Sequence, residues 1–159
     1  MEVHSLFEVP AAQGSRTAVT TLRFDTAPVP QALQAIAAEI GATAYLLERL
    51  LSGQGEPLAL ISAYLPQPIG HRLQRPIPNR ASLLALLDGL GLSAKAVGCS
   101  MGAVPADADA ARALQVPLGS ALVRVRAVLT GENGELRAVT EIVCRSDRLQ
   151  LKILEPRGS

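Results

Sequence analysis

The sequence predicts an α+β fold: a central antiparallel sheet with helices packed on it and an internal pseudo-twofold repeat. Three observations carry this. Nearly the same pattern occurs twice, with Glu48-Arg49 over Val125-Arg126 at a spacing of 77 and Gly55-Glu56 over Gly134-Glu135 at 79. Each copy reads as a short helix followed by two apolar strands around a Gly-Glu turn. The strands alternate apolar and polar residues, which fits antiparallel hairpins with one covered face, and the helices supply the cover. Two copies are too few for a solenoid, which stacks at least about three units. A seam between two such halves is a natural ligand pocket.

Taken in order, residues 1–16 show no usable period and read as a linker or arm. A strand is predicted from Thr17 to Phe24. Pro28 and Pro30 then open a helix carrying Leu33, Ile36, Ala37 and Ile40, at positions where a missing N–H costs little, and Gly41 ends it. Strands over 44–51 and 57–65 flank a turn at 52–56. The stretch 66–79 holds Pro66, Pro68, Pro76 and Pro78 and reads as a surface loop, long enough to be a candidate lid. Leu83, Leu86, Leu87 and Leu90 keep helical spacing after Ser82, and Gly91 stops that helix. A joining strand over 93–104 precedes the second copy. There Pro105 and Asp107 start a helix over 110–115, strands follow at 120–130 and 136–144, and a last short strand is expected at 148–154. The single domain is thus expected at 17–154, with 155–159 a tail.

At 159 residues one ordinary domain is expected, burying roughly 70% of the surface of its unfolded chain. Cys99 and Cys144 lack metal-ligand spacing and read as reduced, buried thiols of a cytoplasmic protein, so neither metal nor cofactor is expected. No basic leader precedes an apolar stretch, and runs such as 58–61 are too short to span a bilayer, so no membrane partner is expected. A net charge of +1 with no Lys/Arg cluster, two Phe, two Tyr and no Trp argues against nucleic-acid binding by these residues themselves.

No phosphate loop, metalloprotease helix or nucleophile elbow is present. His4 and His71 lie in the arm and the Pro-rich stretch, without an orienting third group. The candidate binding residues are polar groups set in apolar strands or at a helix start. Arg49 and Arg126, at matching repeat positions, either cover sheet surface with their stems or meet a ligand anion. Ser82 caps its helix, faces a ligand, or does both. Glu141 interrupts an apolar strand and either pairs with Arg124 or Arg126 or touches ligand. Tyr64, like Tyr45, either packs or contacts ligand.

The ordered set Glu48-Arg49-Leu50, Gly55-Glu56-Pro57-Leu58-Ala59, Tyr64-Leu65-Pro66, Ser82-Leu83-Leu84, Ala110-Ala111 with Leu114 and Val116, Gly119, Val125-Arg126 and Arg145-Ser146-Asp147-Arg148 resembles a UTRA domain. This is the effector-sensing domain of GntR-type bacterial regulators of the HutC subfamily. The resemblance implies a chorismate lyase-like fold with an effector pocket beside the sheet, and a cytoplasmic homodimer. It also implies that operator DNA is contacted only through a winged helix-turn-helix, for which residues 1–16 are too few. In sugar-phosphate-sensing members the pocket uses an Arg-x-Arg pair, a Ser-x-Tyr at the second helix start, and a Glu and a Tyr on the last hairpin strand. Arg49 and Ser82 match; Leu51, Leu84, Ala138 and Cys144 stand at the other four positions. The implied effector is a small molecule with one anionic group and an otherwise less polar body. Because chorismate lyase shares the fold, an enzyme is an alternative, drawing its cations from Arg49, Arg126 and the basic loop. A dimerisation module with a vestigial pocket is another.

Overall fold

A computed structural model describes residues 17–147. Six strands form one antiparallel sheet: β1 (Thr17–Pro28), β2 (Thr43–Gly53), β3 (Glu56–Leu65), β4 (Ala96–Pro105), β5 (Ala121–Thr130) and β6 (Leu136–Arg145). Short helices α1 (Gln31–Ile36), α2 (Gln67–Gly70), α3 (Leu83–Gly89) and α4 (Ala108–Leu114) connect them, with a 3₁₀ turn at Ala38–Ile40. The strand order β1-β2-β3-β6-β5-β4 is symmetric about the β3–β6 pair. The two copies of the repeat therefore lie side by side, each as strand, helix, hairpin.

Alternation along the strands sorts the side chains onto two faces. On one, Leu46, Tyr64 and Val139 pack against Leu33 of α1 and Ile40, while Leu122, with Leu50, Leu60 and Val143, packs against Ala110 and Leu114 of α4. On the other, Tyr45, Leu47, Ala63, Leu65, Ala127 and Leu129 are covered by Ile69, Leu73, Ile77, Leu84 and Leu87. The hairpin turn between β2 and β3 has Gln54 at φ 53 and Gly55 at φ 79. Two consecutive residues with positive φ match the twist of the flanking strands, and glycine takes the second without a Cβ penalty. Asp107 caps α4, its Oδ1 accepting the Ala110 N–H at 2.8 Å.

Several expectations are corrected. β1 continues to Pro28, so Pro28 closes a strand and Pro30 caps α1. The periodic run to Ile40 splits at Ala37, whose φ of −152° leaves the helical region. The joining strand begins at Ala96, and as β4 it forms an edge of the sheet. Cys99 on it is exposed, whereas Cys144 is buried, and both are free thiols. The stretch 66–79 is more than a surface loop. It begins with α2, and Ile69, Leu73 and Ile77, spaced by four, are buried against the sheet. The strand expected at 148–154 lies outside the described residues.

Candidate functional site

The segment that follows Ile77 crosses the sheet as a strap, and a cavity of about 160 Å³ lies beneath it. Leu47, Leu51, Ile61 and Ile142 form apolar walls, and Thr17, Arg49, Asn79, Arg80, Ser82 and Thr140 add polar groups. Between the walls lies a small side chain, Ala63, at 2% exposure.

Arg49 belongs to β2 and is only 6% exposed. Its stem lies over the sheet, and its head reaches protein carbonyls. One terminal nitrogen donates to the Pro78 carbonyl at 2.9 Å and the other to the Ala81 carbonyl, while Nε has no partner among the described residues. Burial pulls its pKa below the usual arginine value. The strap is fixed a second time where Asn79 Oδ1 accepts the Thr21 N–H at 2.9 Å, beside a register shift in β1 between Thr21 and Arg23. Ser82 is the α3 N-cap, its Oγ accepting the Ala85 N–H at 3.1 Å. Its hydroxyl proton has no acceptor among the described residues, and Ser82 lines the cavity with Arg49. Leu51 is a wall of the same cavity, and Leu84, Ala138 and Cys144 are buried in the apolar clusters of this face.

Arg126, Glu141 and Tyr64 are on the opposite face. Arg126 Nε donates to Glu141 Oε2 at 2.8 Å, the cross-strand pairing open to Glu141 from sequence. They belong to a polar row crossing the whole sheet, in which Arg23 pairs with Glu48, Glu48 with Ser62, Ser62 with Glu141, Glu141 with Arg126, and Arg126 with Ser100. Tyr64 is 8% exposed beside it, and burial, then Glu141 and Glu48, raise its pKa. Arg49 and Arg126 are therefore not equivalent. A spacing of 77 between β2 and β5 reverses the face, because side chains alternate with a period of two. At 78 the faces agree and Glu48 lies over Arg126, a carboxylate over a guanidinium. The two arginines do not converge, so the cation set sketched for a lyase is not assembled.

Sequence reasoning missed Thr140, at 1% exposure the other buried polar residue with Arg49 among the described residues. A hydroxyl amid Val139, Ile142 and Val143 was the available signal.

A family model of the UTRA domain matches residues 12–150. The chain belongs to the UTRA domain family. Solved structures agree in fold. The effector domain of PhnF from Mycobacterium smegmatis superposes with a TM-score of 0.80 at 19% identity, covering 96% of this chain and 95% of that one. Full-length PhnF gives 0.82 at 19% identity, with 96% of this chain and 68% of that chain covered. The ligand-binding domain of a putative GntR-family transcriptional regulator from Bordetella bronchiseptica gives 0.76 at 20% identity, covering 91% and 92%. No curated protein matches at a significant level. Among the described residues no helix is long and apolar enough to cross a membrane.

Proposed function

We propose that this UTRA domain senses a small effector with one anionic group and a largely apolar body, bound in the cavity under the strap with Arg49 and Ser82 as its polar contacts. The observation that carries this is a buried guanidinium on the wall of an open hollow whose apolar side is formed by Leu47, Leu51, Ile61 and Ile142. A vestigial pocket would be filled by side chains. A sugar phosphate is disfavoured, since each polar group left unpaired against such walls costs about 1–3 kcal/mol.

The domain is proposed to act as a cytoplasmic homodimer within a GntR-type regulator. Effector binding would favour one dimer geometry over another and so alter how attached DNA-binding heads meet an operator. Such coupling requires different effector affinity in the two states. Arg49 would supply the link, because an anion competing for its guanidinium would compete with the carbonyls of Pro78 and Ala81 and so with the strap.

A thermal-shift screen of short organic acids and phosphorylated sugars tests the reading. Carboxylates are expected to raise the melting temperature, and Arg49→Lys, which keeps the charge but loses the planar fork, to weaken the response. A sugar phosphate giving the largest shift while carboxylates give none would overturn it.

A further inference from the structure

We propose that Thr140 is a second polar anchor of the cavity and that the effector is a short monocarboxylic acid bearing a hydroxyl group, its carboxylate at Arg49 and its hydroxyl at Thr140. This rests on the effector reading above and names the ligand class.

Three buried side-chain polar atoms lack a hydrogen-bond partner among the described residues: Thr21 Oγ1, Arg49 Nε and Thr140 Oγ1. Thr21 pairs with Arg49 across β1 and β2, so all three lie on the strap face, and Arg49 and Thr140 both line the cavity. An unpartnered buried hydroxyl is costly, and valine has the same shape without it. Packing alone therefore favours Val at position 140, as at Val139 and Val143 on the same strand.

The residues beside Thr140 are small, since it pairs with Ala63 on β3 and with Ala127 on β5. Arg49 stands one strand beyond β3, level with Ile61. Strands spaced about 4.8 Å apart put the β2 and β6 backbones about 10 Å from each other, with Ala63 and Ile61 between them. That floor suits an apolar middle between two polar ends. Arg49 uses two of its five N–H donors on carbonyls, and its Nε has no partner among the described residues, so the guanidinium keeps donors for a carboxylate. The volume, about 160 Å³, is close to that of an engineered cavity that takes benzene, which limits the enclosed body to about six heavy atoms.

The test is calorimetric titration of wild type, Thr140→Val and Thr140→Ser with matched acids: pentanoate against 5-hydroxypentanoate, and benzoate against 3-hydroxybenzoate. In at least one pair the hydroxylated acid is expected to bind wild type about tenfold more tightly. Thr140→Val should abolish the advantage and Thr140→Ser retain it. Unliganded Thr140→Val should melt at or above wild type, because the substitution removes an unsatisfied group. Equal binding within every pair, an advantage that survives in Thr140→Val, or a Thr140→Val protein melting several degrees lower would overturn the proposal while leaving the effector reading intact. If no acid binds wild type, the effector reading fails and takes this inference with it.

Discussion

Thr140 and Arg49 gain their character from burial, and burial also separates the two thiols. Cys144 is 4% exposed in the strap-face core, which pushes its thiol from the ordinary 9.0 to about 11. The folded state therefore favours the neutral thiol, while the unfolded chain ionises near 9. The stability from this group is fully present below pH 9 and is lost as pH rises through about 11, a loss on the order of 2–3 kcal/mol. Burial raises the phenol of Tyr64 too, so its contribution is also lost on the alkaline side. Urea unfolding followed from pH 8 to 11 should show the decline, and Cys144→Ala should flatten part of it. Cys99 is exposed. At pH 8 a thiol reagent should modify one cysteine of the folded protein quickly and the second only on unfolding; two fast thiols would contradict the assigned burial of Cys144.

Ser82 acts at the scale of the element, since it starts α3 and lines the cavity at once. Ser82→Ala removes the cap and should cost about 1 kcal/mol in urea unfolding. Ser82→Asp keeps the cap, so its stability should stay within about 0.5 kcal/mol of wild type. It also sets a carboxylate at the cavity, so acids that bind wild type should bind it at least about tenfold more weakly through like-charge repulsion. Undiminished acid binding by Ser82→Asp would remove Ser82 from the site. The elements themselves were largely legible in the sequence: hairpins, helices and the Gly55 turn follow from alternation, periodicity and punctuation. The faces were harder. Matching Arg49 to Arg126 compared residue types, and one position of slip is invisible to that comparison yet moves a side chain across the sheet. The strap was misread for a related reason, because four prolines masked the four-residue spacing of Ile69, Leu73 and Ile77, which ties it down. Thr140 stayed hidden because a threonine is at home in any strand, and only the missing partner distinguishes it.

At the scale of the whole molecule, the six-stranded sheet of the described residues has two edges, and they are built differently. β1 carries Arg23 and Asp25 and is interrupted by its register shift, devices that discourage a further strand from pairing. β4 has no charged residue from Ala96 to Pro105, pairs with β5 in unbroken register, and exposes Met101 at 48%. An uncharged, regular ten-residue edge is a template for another strand, and an antiparallel twofold pairing of β4 with its own copy would carry the sheet across a dimer. The proposed homodimer is therefore expected to form along β4. Sedimentation velocity should find wild type as a dimer and the double variant Met101→Lys with Ala103→Lys as a monomer of unchanged far-UV circular dichroism, because lysines facing one another across the new pair repel. A variant that remains dimeric would move the interface elsewhere. Should it instead become monomeric and still bind acids as wild type does, sensing and assembly would be separable, as expected of a cavity walled by β1, β2, β3 and β6 with β4 standing apart from it.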